Sequence, residues 1–386
     1  MEAARRIGAE LTVASEEPST FQSVNVGGLL TLPLKEPTRA ALEAEVFHSR
    51  YPITAVAGVD DDTAVVAALI ALRLGLKGNP VHAVQAARDK HKQRELLAKA
   101  KVPIPRFMLR SLDEDPAQIP PSITYPCVLK PLRLSASRGV MRADNEQSFI
   151  KAHARLKAIV CEAGESFLIE EFISGYEVAI EGLVVNRRLH VLAIFDKPDP
   201  LDGPYFEETI YVTPSQVPDG LQKAIADCVD RAVRALGITD GPIHAEVRYN
   251  ERGPWLIELA ARPIGGRCSA VLRFGDQGIS LEEIILRQAL GMPIPSLQRE
   301  RQAAGVMMIP IPGAGTLKEM RGLAEAKAVP LVEDVQITAH PGERLIPFPE
   351  GSRYPGFIFA RGETPTVVEA ALRDAHRRLT FVLEPP

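Results

Sequence analysis

His244-Ala245-Glu246-Val247-Arg248, the polar turn Asn250-Glu251-Arg252-Gly253-Pro254, and Trp255-Leu256-Ile257-Glu258-Leu259-Ala260-Ala261-Arg262-Pro263-Ile264-Gly265-Gly266 place two carboxylates inside two apolar runs joined by a short link. Two β-rich segments connected in this way predict an antiparallel hairpin. The hairpin would bring Glu246 and Glu258 together. Two carboxylates aimed into one site repel unless a proton or a cation separates them. Oxygen-only ligands suit Mg²⁺ held together with nucleotide phosphates, so the pair points to phosphoryl transfer. Read alone, the same residues also fit an ordinary strand pair, with Glu258 facing outward and Gly265-Gly266 a plain turn.

Upstream segments narrow the reading. Cys127-Val128-Leu129-Lys130-Pro131 is a short apolar strand ending in a lysine, and the small polar loop Ser135-Ala136-Ser137-Arg138-Gly139-Val140 follows it. Backbone N–H groups of such a loop can cradle phosphate, although a lone lysine after a strand is usually a solvated end. In Phe167-Leu168-Ile169-Glu170-Glu171-Phe172-Ile173-Ser174-Gly175-Tyr176-Glu177, a strand ends in two carboxylates, crosses a Ser-Gly link and re-enters a strand.

In this order, and over essentially its whole length, the chain resembles the ATP-grasp superfamily of carboxylate-amine ligases. The resemblance implies ATP and Mg²⁺ as cofactors, with Mn²⁺ as a substitute. Lys90, within Asp89-Lys90-His91-Lys92, and Lys130 would contact the ATP phosphates, under a lid containing Ser135, Ser137 and Gly139. Glu170, Glu171, Phe172 and Ile173 would form the hinge that reads adenine, and Glu177 would accept from the ribose hydroxyls. Glu246 and Glu258 would hold the metal. Many members carry Asn two residues after the second Glu; here that residue is Ala260, which has no ligand atom.

At 386 residues with 46% hydrophobic content, the chain can bury two or three cores. A formal net charge of -4 gives no basic footprint for nucleic acid. Cys127, Cys161, Cys228 and Cys268 form no C-x-x-C pair, which fits free thiols in a reducing cytoplasm. No apolar run approaches the roughly 18 residues of a membrane span, and Met-Glu-Ala-Ala-Arg-Arg lacks the apolar core of a signal peptide. The expectation is a cytoplasmic α/β enzyme, a homodimer, with small-molecule carboxylate and amine partners and neither nucleic acid nor membrane.

Three domains are expected. Residues 1–94 alternate helix and strand, which implies a parallel α/β (pre-ATP-grasp) domain. Leu11-Thr12-Val13-Ala14 and Ile53-Thr54-Ala55-Val56-Ala57 read as strands, and the second runs through Asp60-Asp61-Asp62 into a helix ended by Gly75. The three aspartates read as a helix N-terminus rather than a metal site. No G-x-G-x-x-G follows a strand, which argues against a dinucleotide fold. Glu2 to Gly8 already looks like the end of a helix, so the strand expected before it is missing, which leaves a sheet edge to be covered.

Residues 95–298 form the ATP-grasp domain proper, including a helix from about 216 to 236 stopped by Gly237. Residues 299–386 form an α+β domain. Gly305-Val306-Met307-Met308, His340-Pro341-Gly342-Glu343 and Tyr354-Pro355-Gly356-Phe357, with a closing helix from about 365 capped by Thr364, resemble the carboxy-terminal domain of bacterial L-amino-acid ligases.

That resemblance implies dipeptide formation through an acyl phosphate, with ADP and phosphate released. Arg262 would clamp the acyl phosphate, and Gly265 and Gly266 would let main-chain N–H groups approach a substrate carboxylate. Glu208 would recognise or deprotonate the amine, with Tyr211 beside it where related ligases often carry His, and Lys197 would line the same pocket. Two alternatives share these motifs: a ligase of specialised metabolism using a non-amino-acid carboxylate or amine, and a nucleotide-binding protein without turnover.

Overall fold

The computed structural model describes residues 1–17, 28–118, 122–161 and 163–384. Its amino-terminal part is mainly helical. α1 (Glu2–Arg6) precedes β1 (Val13–Ser15) and β2 (Leu29–Thr31), which pair in parallel. α2 (Pro37–His48), α3 (Asp61–Leu74), α4 (Val81–Arg88) and α5 (Lys90–Lys99) follow. α3 begins as its sequence requires. Asp60 accepts the Thr63 N–H at 2.7 Å while the Thr63 hydroxyl accepts the Asp60 N–H at 3.1 Å, a reciprocal capping box. Gly75 closes the helix in the left-handed region at φ 65°.

The strand expected over Ile53–Ala57 does not form. A strand needs a neighbour with which to exchange main-chain hydrogen bonds, and among the described residues this segment has no ladder partner. Its apolar content is used instead in packing, with Val56 set against the core cluster that Leu32 forms with residues of α2 and α3. The parallel sheet expected for this part is therefore reduced to the two short strands.

A small antiparallel sheet comes next: β3 (Phe107–Ser111), β4 (Cys127–Pro131), β5 (Met141–Ala143) and β6 (Ser166–Glu171), in the order β3-β6-β4-β5. α6 (Glu146–Val160) covers one face through Phe149, Ala152 and Leu156.

The large sheet takes β7 (Tyr176–Val185), β8 (Arg188–Asp196), β9 (Ile210–Thr213), β10 (Gly241–Asn250) and β11 (Gly253–Ala260). Between β9 and β10 lies α7 (Asp219–Leu236). Its stripe of Ile225, Val229, Ala232, Val233 and Leu236 recurs at helical spacing and packs on Ile180, Ala245 and Leu256 of the sheet. Each such aliphatic side chain contributes about 1.5–3 kcal/mol by burial.

After α8 (Leu281–Ala289) come β12 (Ala303–Met308), β13 (Gly315–Arg321), α9 (Leu323–Lys327), β14 (Val332–Ile337), β15 (Arg344–Leu345), β16 (Gly356–Gly362), α10 (Pro365–Arg378) and β17 (Thr380–Glu384). Thr364 caps α10, with Pro365 in its first turn. β15, β13 and β17 form their own sheet. The others do not stand apart: β12, β16 and β14 extend the large sheet to eight strands, in the order β11-β10-β7-β8-β9-β12-β16-β14. Val306 of β12 pairs with Tyr211 of β9, so a division at 298/299 falls in a loop of the chain yet separates strands of one sheet.

Candidate active site

β10 and β11 form the hairpin, with Glu246 directly opposite Glu258. Cross-strand partners share a face, so both carboxylates project into one cleft. The register shifts just beyond them, where Val247 pairs with Leu256, so that Ile257 is the extra residue of a bulge. Strand alternation puts His244, Glu246 and Arg248 on the same face, and all three line a cleft of about 300 Å³. Lys90, Lys130, Ser135, Ser137, Glu170, Glu171, Phe172, Ile173, Glu177, Glu208, Tyr211, Glu258, Arg262, Gly265 and Gly266 line it too. The structure thus gathers almost all the residues singled out in the sequence.

Contacts within the cleft assign them more specific positions. Lys90 is buried and donates to Glu258 Oε1 and to the Leu134 carbonyl, both at 2.9 Å. Lys130 lies 2.8 Å from Glu170, whose other oxygen accepts from Arg94 Nε at 2.7 Å. Burial alone would push the Glu170 carboxyl up, but Arg94 and Lys130 outweigh it and hold it down at about 2. At the hinge, the Phe172 N–H donates to Pro126 and the Ile173 carbonyl accepts from Arg248, so both main-chain groups have partners within the protein. Arg142 and Arg248 lie against the Phe172 ring at 4.2 and 4.9 Å.

The Glu170 pairing yields a stability prediction. Its folded pKa lies below the ordinary carboxylate value of 4.5. A depressed carboxyl stabilises the fold above its unfolded pKa and loses that contribution as pH falls through the folded one. For Glu170 the window runs from about pH 4.5 down to about 2, and the contribution is on the order of 3 kcal/mol. Glu170→Gln should be less stable than wild type in urea at pH 7, and the gap should narrow across that window. A gap independent of pH would show that Glu170 is not charged in the folded chain.

Glu177, Glu208 and Glu246 converge so that one oxygen of each lies within 4.8 Å of the others, an arrangement that could hold a cation. The Lys197 ammonium already sits among them, at 2.7 Å from Glu177, 2.6 Å from Glu208 and 3.4 Å from Glu246. Burial opposes its charge, yet the three carboxylates hold it well above its ordinary pKa. Glu246 would rise with burial, but Lys197 and then His244 drive it well below the carboxylate range. Glu208 is pushed up, chiefly by burial, and accepts from the Tyr211 hydroxyl at 2.5 Å.

Two sequence expectations are corrected here. Lys197 does not line the cleft: its side chain is 3% exposed and stands behind the carboxylates as their counter-ion. Gly139 is also set back from the cleft. Its N–H donates to Pro349 of the carboxy-terminal part at 2.9 Å, and at φ 74° a Cβ would meet Leu156 and Pro131 at 3.1 and 3.3 Å. The glycine serves the turn and its docking. Arg155, in an ion pair with Glu350, fastens the same two parts together.

Several functional candidates were not singled out in the sequence. Arg94 and Arg248 support the hinge, and Asp61 faces Arg262. Glu181 is wholly buried opposite His244 and accepts the Ile264 N–H at 3.1 Å, beside Gly265-Gly266. Burial pushes Glu181 up to about 7; burial lowers His244, but Glu181 and Glu246 raise it to about 8. The period-2 pattern His244-x-Glu246-x-Arg248 was the available signal for two of these residues. Met308 and Tyr354 bring the carboxy-terminal part into the cleft. Met308 Sδ would lie 2.5 Å from a Cβ at residue 266, and the backbone there is left-handed at φ 57°, so a side chain would be strained and would displace Met308.

Comparison with known proteins agrees with this geometry. A family model described as ATP-grasp domain matches residues 123–271, and one described as L-amino acid ligase C-terminal domain 2 matches residues 307–384. The crystal structure of an L-amino acid ligase from Bacillus licheniformis superposes with a TM-score of 0.81 at 28% identity, covering 100% of this chain and 95% of that one. Alanine–anticapsin ligase of Bacillus subtilis is 33% identical over an alignment of 217 positions that covers 50% of this chain and 45% of that protein. An uncharacterized protein of Sinorhizobium fredii, y4rH, is 24% identical over 383 residues, 96% of this chain and 78% of its own length. The match to alanine–anticapsin ligase thus spans about half the length of that relative, 45%.

Proposed function

Since the chain belongs to the ATP-grasp ligases and carries an L-amino acid ligase carboxy-terminal domain, we propose that it joins a carboxylate, an L-amino acid, to an amine through an acyl phosphate and releases ADP and phosphate. The observation that carries this reading is the order of groups along one cleft. Lys90 and Lys130 lie beside the Ser135–Ser137 loop, Glu246 and Glu258 face each other, and Arg262 with Gly265-Gly266 follows on the same strand exit.

ATP-grasp enzymes use ATP and Mg²⁺. Glu246 and Glu258 offer the oxygen donors that suit this ion, and Ala260 adds none, so the chain's own ligands are these two carboxylates. When bound, the ion supplies neutralising charge at the β- and γ-phosphates. Lys90 and Lys130 orient the phosphates. An oxygen of the substrate carboxylate attacks the γ-phosphorus, and the bond to the β-phosphate oxygen breaks with its electron pair left on ADP. The amine nitrogen then attacks the acyl carbon, and phosphate departs with the C–O electron pair. Glu208, with its raised pKa, takes the proton that the amine loses. Arg262 stabilises the oxyanion, for which one aligned donor contributes about 3 kcal/mol. The similarity to alanine–anticapsin ligase favours an amino acid as the carboxylate.

The test is phosphate release across an array of carboxylate and amine pairs, followed by mass spectrometry of product and nucleotide. ADP should form only when both substrates are present, and ¹⁸O in the carboxylate should place one label in phosphate. AMP, or amide formed with unlabelled phosphate, would rule out the acyl-phosphate route. Turnover only with non-amino-acid partners would move the enzyme into specialised metabolism. Nucleotide binding without ADP release from any pair would identify a protein that binds but does not ligate.

A further inference from the structure

We propose that Asp61, at the start of α3, is the positioning residue for Arg262, holding the guanidinium in the plane from which it meets the acyl phosphate. This rests on the reading of Arg262 given above. Arg262 Nε lies 3.0 Å from Asp61 Oδ1, and Arg262 Nη2 donates to Asp61 Oδ2 at 3.1 Å, a two-pronged contact between side chains that are 15% and 21% exposed. Nη1 donates to the Pro263 carbonyl at 3.0 Å. Two of the five guanidinium N–H groups are thus hydrogen-bonded among the described residues, and Nε faces Asp61 as an ion-pair contact, which leaves one N–H on each terminal nitrogen for a ligand. Both Asp61 and Arg262 line the cleft.

The pairing also decides where the arginine does not go. Glu258 and Glu181 attract the same guanidinium, and without Asp61 it would swing towards Glu258, a carboxylate reserved for the metal. Asp61 is itself fixed. The Asp60–Thr63 capping box sets the first turn of α3, and Gly58 lets the preceding loop approach so closely that a Cβ there would lie 2.5 Å from Ala64 Cα. Asp61, like Lys90, thereby brings the amino-terminal part to a cleft that also takes residues from the hairpin and from loops.

The test compares Asp61→Asn, Asp61→Glu, Arg262→Ala and the double variant Asp61→Asn/Arg262→Ala, with ADP formation read in ATP, Mg²⁺ and a mixture of the twenty proteinogenic L-amino acids. A displacement of about 1 Å costs on the order of 10²-fold. Asp61→Asn should therefore lower kcat roughly 10- to 100-fold while ATP affinity stays within about twofold, and Asp61→Glu should recover much of the loss. In the Arg262→Ala background the second substitution should change nothing further, because there is no guanidinium left to position. A reading independent of turnover is the rate at which phenylglyoxal modifies Arg262, which should rise in Asp61→Asn. Wild-type kcat in Asp61→Asn, or losses that multiply in the double variant, would overturn the proposal and leave Asp61 a helix-start residue. Full activity in Arg262→Ala would instead remove the role assigned to Arg262, an outcome that does not depend on any Asp61 variant.

Discussion

Glu258→Gln is expected to lower kcat by roughly 10³-fold, about 4 kcal/mol, while the chain stays folded. The substitution keeps the volume of the side chain and removes the charge that a divalent cation needs. Little packing depends on that charge. The Glu258 side chain is 32% exposed, and its partner Lys90 keeps the Leu134 carbonyl as an acceptor. Glu246→Gln should cost a similar amount, because the register sets the two carboxylates opposite each other. The measurement is steady-state ADP release over a Mg²⁺ titration, with circular dichroism as the folding control. Near-normal kcat in either variant would place the metal elsewhere in the cleft.

Lys197→Met should have the largest effect on stability. Methionine fills much the same volume but leaves three convergent carboxylates without their common counter-ion. Glu177 keeps Arg248 at 3.3 Å and Glu246 keeps His244 at 3.9 Å, whereas Glu208 keeps the Tyr211 hydroxyl and its hydrogen bond with Glu246 but no cation. Removing one partner from a buried ion cluster costs about 3–5 kcal/mol. Denaturant unfolding should show that loss at pH 7, and it should shrink at low pH as the carboxylates take up protons. Millimolar Mg²⁺ or Mn²⁺ should restore part of the stability to the variant and not to wild type, by binding where the ammonium sat. A variant as stable as wild type, or one indifferent to divalent ions, would show that the cluster relaxes into solvent.

The parts of the site that were legible in the sequence are those written in local pattern. Glu246 and Glu258 could be paired because a short turn and two apolar runs specify both the hairpin and the shared face. α3 could be bounded because Asp60, Thr63 and Gly75 act within a turn of their own positions. What stayed hidden depends on partners far along the chain. Glu170 looked like a hinge residue, but its charge is set by Arg94, 76 residues away. Asp61 looked like a helix terminus, but it meets Arg262 across 201 residues. Gly139 looked like a phosphate amide until Pro349 claimed its N–H. Ile53–Ala57 has the apolar, β-branched content of a strand, but composition does not supply a neighbour to pair with.

The hydrogen-bonded seam between β9 and β12 also constrains how this enzyme could exchange parts with its relatives. A chimaera joined at 298/299 would inherit β12, β16 and β14 from one parent and the strand they continue from the other. The foreign edge would have to match not only main-chain register but also the pairing of Val306 with Tyr211, whose hydroxyl bonds Glu208 of the carboxylate cluster. Recombination that respects the fold would move residues 198–215 together with everything after 299. The 198–215 segment and the terminal domain therefore form one heritable unit, and a working exchange should arise by joint rather than separate replacement of the two.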